Sequence, residues 1–174
     1  SVHGDSYGVH ASDSMNAWRN MAKASQPYNA ITGLIVGGYP LLAPTGRDWK
    51  NLPAYPFGEH KAQVKAQDPK GLLQELEIAI RENHQAHAAA VVAQYGEMGY
   101  PARPVFDMLL RYATSEDGAL HAEKYYRTVS EEFGRTRKAY RWEHLTALAR
   151  VTASEYGKRA DGYEQACSLL NVKA

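Results

Sequence analysis

Residues 68–96 read DPKGLLQELEIAIRENHQAHAAAVVAQYG, and their pattern decides the fold class. Asp68 offers a side-chain acceptor to the free N–H groups of a helix start. Pro69 fits the first helical position, where its missing N–H costs nothing. Leu73, Leu76, Ile80 and Val91 recur on one face, so the stretch predicts an amphipathic helix from Pro69 to about Tyr95, stopping near Gly96.

Downstream the same signals repeat. Arg103-Pro104 marks a second start, carrying Val105, Phe106, Leu109, Leu110 and Ala113 inward. That helix either runs on to Phe133, with Gly134 at its C-terminal end, or restarts around 114–118 with Ser115 as cap. Arg141 to Tyr156 predicts another helix, with Leu145, Leu148 and Thr152 on one face and Gly157 closing it. Asp161 begins a short last helix ending at Leu170.

Upstream the reading changes. Residues 1–11 look irregular. Ser12 or Asp13 caps a helix bearing Met15, Trp18 and Met21, which Gln26-Pro27 stops. Ile31 to Val36 is β-prone by composition, and residues 37–58 hold four prolines among glycines and aromatics. The expectation is an all-α protein: one helical domain over 1–174, with an irregular Pro/Gly-rich part carrying one helix (1–67) and a helical bundle (68–174).

Composition narrows the function classes. At 174 residues, 44% hydrophobic and 22% charged, the chain has ordinary globular make-up. A net charge of +1 supplies no field for nucleic acid or an acidic membrane surface. A mean hydropathy of −0.51 and the lack of a long apolar run argue against a membrane span. No signal peptide is visible, and the single cysteine, Cys167, excludes an internal disulfide, so a cytoplasmic location is expected. Cys167 itself reads as a buried apolar position. The chain opens without Met, which fits processing or a larger parent chain.

Familiar catalytic signatures are missing. The glycines match neither a dinucleotide fingerprint nor a phosphate loop, and there is no GxSxG, HExxH or Glu-x-x-His pair. What remains is positional. His84 and His87 fall on the stripe of Ile80 and Val91, three residues apart, so both can meet one metal ion. Asp117 and His121, four apart, line up with Phe106, Leu110 and Ala113, and Tyr125 and Val129 continue the line. If the two helices pack antiparallel, His84, His87 and His121 become ligands of a transition metal such as Fe, Zn, Mn or Cu. Asp117 is then a ligand or the orienter of a histidine, and Tyr125 a proton donor to a small-molecule substrate. The competing reading makes these histidines core residues satisfied by carboxylates or hydroxyls. His10 caps a helix or reaches the site, His60 reads as solvated, and His144 as a boundary residue.

Arg135, Arg137, Lys138 and Arg141, interleaved with Tyr140 and Trp142, have the residue types of a nucleic-acid patch. They lie at a helix end beside Glu131-Glu132, where cations favour the dipole, so the reading stays against nucleic acid.

The stretch AHAAAVVAQYGEMGYPARPVFDMLLRYATSEDGALHAEK (86–124) resembles the helical region of bacterial proteins that carry a Rieske-type iron–sulfur domain, and more distantly the questin-oxidase-like proteins. The shared element is Glu116-Asp117 followed by His121, with His10 and Asn16-Ala17 resembling a His-then-Asn-Ala element nearer the start. The resemblance covers about half the chain. It implies an oxidoreductase context, with Asp117, His121 and a cofactor-facing His10 as the residues to follow. A Rieske centre itself needs two cysteines and two histidines, which one cysteine cannot supply.

Two functions follow from these readings. One is a metal-dependent or redox-associated helical protein, an oxidoreductase domain acting on a small organic molecule. The alternative is a non-enzymatic helical module for protein–protein interaction, with a partner surface around Trp49, Tyr55 and Phe57.

Overall fold

The computed structural model describes residues 7–42, 56, 58–114, 120–157 and 162–173. Their regular structure is all α-helical, in the order α1 (Tyr7–Ala24), α2 (Pro27–Leu42), α3 (Gly58–Lys61), α4 (Pro69–Arg81), α5 (Gln85–Glu97), α6 (Arg103–Ala113), α7 (Leu120–Arg135), α8 (Arg141–Glu155) and α9 (Tyr163–Leu170). The contacts divide the chain into two units, 1–57 and 58–174.

In the first unit α1 and α2 form a helical hairpin. Pro27 ends one helix and occupies the first position of the next, and Ala30 N–H bonds Gln26 C=O at 2.9 Å. The β-prone segment Ile31 to Val36 lies inside α2. Tertiary packing overrides propensity here: Gly33 and Gly37, four apart, lie on the Trp18 ring, which a Cβ at Gly37 would meet at 2.8 Å. Helix α1 also begins at Tyr7, upstream of the expected cap at Ser12 or Asp13.

In the second unit α8 packs against α4, α5, α6 and α7. Its sequence shows why: Leu145, Thr146, Leu148, Ala149, Val151, Thr152 and Ala153 are all buried, so the helix is covered nearly all round. Thr152 is satisfied by donating its hydroxyl to Leu148 C=O at 2.9 Å. Ala88, Ala89 and Ala90 are fully buried around α5, and among the described residues α5 and α8 make the most extensive helix pair. A series of ring contacts, Tyr100–Tyr95–Trp142–Phe133–Phe106–Tyr126, edge-to-face except for the tilted Tyr95–Trp142 pair, links α5, α8, α7 and α6.

Two predicted starts are in place. Asp68 Oδ1 accepts from the N–H groups of Lys70 (3.1 Å) and Gly71 (3.0 Å), and α6 begins at Arg103 with Pro104 behind it. The expected single helix from 69 to 95 is corrected to two, α4 and α5, folded against each other. Asn83 adopts a left-handed conformation (φ 56°). The N–H of Asn83 bonds Ile80 C=O at 3.0 Å and that of His84 bonds Ala79 C=O at 2.8 Å, a Schellman closure. Asn83 Nδ2 then donates to the carbonyls of Ala153 and Tyr156, both at 2.9 Å, fixing the reversal to the end of α8. The inward face of α6 is also rotated from the expected one: Val105, Leu109, Tyr112 and Ala113 are buried, while Leu110 is exposed.

Candidate functional site

The reversal at Asn83 brings α5 back along α4, and the two helices with the segment before α4 enclose an open groove of about 1000 Å³. Its walls include Gln63, Lys65, Glu75, Ile78, Glu82, His84 and His87. The polar centre is Glu75. Its carboxylate accepts from the backbone N–H groups of Lys65 (3.2 Å) and Ala66 (2.9 Å), and lies 2.7 Å from His87 Nε2. Gln94 and Tyr100 clamp the same segment from α5 and the chain beyond it, donating to the carbonyls of Ala66 (3.1 Å) and Gln67 (3.2 Å). The carboxylate is therefore held by backbone that is itself tied down.

Burial pushes the Glu75 carboxyl up, but the N–H groups of Ala66 and Lys65, together with His87, outweigh it and hold the group below its ordinary value. An ionised carboxylate can only accept, so His87 Nε2 is the donor in this pair and Nδ1 is left as the ring's basic atom. The His87 and Glu75 side chains are only 21% and 17% exposed, so this is a partly desolvated pair rather than a surface contact.

Of the other predicted site residues in the second unit, His84 and His121 lie at the starts of different helices. His84 is the residue before α5, 61% exposed, with Nδ1 3.3 Å from Glu82 Oε2. It lines the groove with His87, but it does so because the chain turns there, not because both ride one continuous stripe. His121 lies in the first turn of α7, with Nδ1 3.8 Å from Glu155 Oε2 at the end of α8. The antiparallel pairing imagined for the two histidine helices is replaced by α4 on α5, and by α6 and α8 on α7. Tyr125 is buried in α7, and His10 is exposed on α1 in the first unit. Asp117, with Glu116 beside it, falls outside the described residues, as do Trp49, Tyr55 and Phe57. Among the described residues no three histidines, cysteines or carboxylates converge into a group that could hold a metal ion.

Cys167 is buried and free, as expected from EQACSLL. His144 is half-buried, with Nε2 2.9 Å from the Thr136 hydroxyl. Burial pushes its imidazole below the ordinary value against the opposing influence of Glu132 and Glu143.

A second carboxylate cluster joins α4 to α6. Glu77 Oε1 accepts from Arg111 Nη2 (2.6 Å), Tyr112 OH (3.0 Å) and Arg81 Nη2 (3.3 Å), and Tyr112 OH accepts from Arg81 Nε at 2.9 Å. Every group there has its partner within the network, so it reads as a clamp between helices.

Sequence reasoning missed Glu75. In QELEIAIR it looks like one more solvated glutamate, and its partner is twelve residues away on a different helix. The one local signal was Asn83, a residue type that tolerates the left-handed conformation a chain reversal needs.

No family model matches this chain, and comparison with curated proteins and with solved structures returns no match.

Proposed function

We propose that this protein binds a small organic molecule in the groove between α4 and α5 and moves a proton on it through the Glu75–His87 pair. The observation that carries the reading is the 2.7 Å contact between His87 Nε2 and a carboxylate that two backbone N–H groups already hold ionised. Such a carboxylate fixes the imidazole tautomer and orients the ring, leaving Nδ1 to exchange a proton with a bound molecule. Ile78, Ala79 and Ala86 give the groove an apolar surface for the body of the ligand, and Glu82 and His84 offer further polar contacts at its edge. An oxidoreductase context, implied by the resemblance around Glu116, Asp117 and His121, belongs to the proposal as a wider setting. No step of it runs through a metal, because the described side chains offer no converged ligand set.

The test is a nuclear magnetic resonance screen of the whole chain against small cationic, anionic and neutral organic fragments at millimolar concentration. Binders are expected to shift amides of Gln63, Ala79 and Ala86 together, and His87→Ala is expected to weaken them at least tenfold while far-UV ellipticity stays unchanged. Shifts scattered over the surface, or binding indifferent to His87→Ala, would sink the proposal.

A further inference from the structure

Helix α2 is mostly apolar, with Asn29 and Thr32 its only polar side chains besides tyrosine. From Pro27 to Leu42 it reads PYNAITGLIVGGYPLL, with no charged residue. One face, Gly33 and Gly37, is consumed by Trp18 of α1. The opposite face carries Tyr28, Ile31, Ile35 and Tyr39, which are 80%, 62%, 71% and 73% exposed, and Leu34 and Val36 flank it at 47% and 46%. Side chains three and four apart make these a continuous stripe. A stable monomer rarely presents so much connected apolar surface.

We propose that this face is a self-association surface, on which α2 of a second copy of the chain packs antiparallel about a two-fold axis. Three features of the stripe point to a copy of itself. It has tyrosine at both ends and isoleucine at the two middle positions, so within half a residue it reads alike in both directions. A two-fold then sets Tyr28 against the partner's Tyr39 and Ile31 against the partner's Ile35, which is the self-complementarity an isologous interface needs. With no charge between Pro27 and Leu42, no like-charge repulsion arises when identical faces meet. The area also suits the purpose. Aromatic side chains bury ~150–250 Å² each, so the two exposed tyrosines present roughly 300 Å². The aliphatics bring the face to about the lower end of specific interfaces, ~600 Å² per partner. A membrane-surface helix would carry lysine or arginine along its polar side, and α2 carries none.

The experiment is sedimentation velocity and light scattering on the full chain at several concentrations, with Ile31→Glu and Ile35→Glu as variants. Both positions are exposed, so far-UV ellipticity is expected to be unchanged. The parent is expected to be a dimer at tens of micromolar, and each glutamate is expected to raise the dissociation constant at least a hundredfold. If either variant loses helix, Tyr28→Ser and Tyr39→Ser replace it, each expected to weaken the dimer about tenfold. A parent that stays monomeric, a dimer indifferent to all four changes, or a monomer that floats with phosphatidylcholine vesicles overturns the inference.

Discussion

Gly96 of α5, packed on Trp142 of α8, supplies a sharp test of how the two helices fit. A Cβ built on Gly96 would stand 2.4 Å from Trp142 Cδ2 and 2.7 Å from Cγ and Cε3. The indole cannot swing aside freely, because Tyr95 and Phe133 hold it at ring centroid distances of 6.1 and 5.9 Å. Gly96→Ala therefore forces backbone of α5 away from α8. Overpacking of this kind costs ~1–3 kcal/mol, and a contact this short belongs at the upper end. Replacing glycine by alanine in a helix returns up to about 1 kcal/mol, so the net loss is about 2 kcal/mol. Gly134, equally close to the end of α7, has nothing within 4 Å of its would-be Cβ. Gly134→Ala then collects the helix-propensity gain without the clash. With a urea dependence of ~1–3 kcal/mol per molar, Gly96→Ala is expected to lower the unfolding midpoint by roughly 1 M, while Gly134→Ala leaves it level or raises it. Far-UV and near-UV ellipticity would both report the transition. A Trp142→Leu background is expected to relieve much of the Gly96→Ala cost, as contacting sites do. Two substitutions that shift the midpoint in the same direction and by the same amount would refute this account of the helix pair.

Glu75→Gln is expected to cost about 1–3 kcal/mol at neutral pH, because it weakens charge-assisted bonds to two backbone N–H groups and His87. The folded carboxyl lies below its unfolded value, so its contribution is full above the unfolded pKa and fades as pH falls through the folded one. Urea titrations at neutral pH and near pH 3 should thus show the gap between parent and variant closing in acid, and a gap that persists unchanged would contradict the assignment. For His144, whose folded pKa is depressed, stability is present above the unfolded imidazole value and lost as pH falls through the folded one. Its ring protons should titrate below the ordinary histidine midpoint, and a midpoint at or above that value would overturn the burial argument. Asn83→Gly keeps the left-handed turn but loses both bonds to α8, whereas Asn83→Ala loses them and adds the ~1–2 kcal/mol of left-handed strain. Thermal denaturation is expected to rank the parent above Asn83→Gly and that above Asn83→Ala, and equal stability of all three would show the reversal is held by something else.

By itself the sequence determined what local chemistry determines. Asp68-Pro69 and Arg103-Pro104 mark helix starts because a cap acceptor and a fixed proline φ act within one turn. The buried face Leu145, Leu148 and Thr152 of α8 was legible because a helix repeats every 3.6 residues whatever it packs against. The all-α class follows from the same short-range signals.

Tertiary structure decided the rest. Ile31 to Val36 is helical because Gly33 and Gly37 admit Trp18 from another helix, a contact that no propensity encodes. Helix 69–95 breaks at Asn83 because the side chain finds carbonyl acceptors 70 and 73 residues further along. That break turned two histidines read as one metal-facing stripe into the rim of a groove, and it brought Glu75 of α4 against His87 of α5. Periodicity fixes which residues of one helix share a face. Which faces meet depends on where the chain reverses, and here a left-handed asparagine held by a distant helix sets that point.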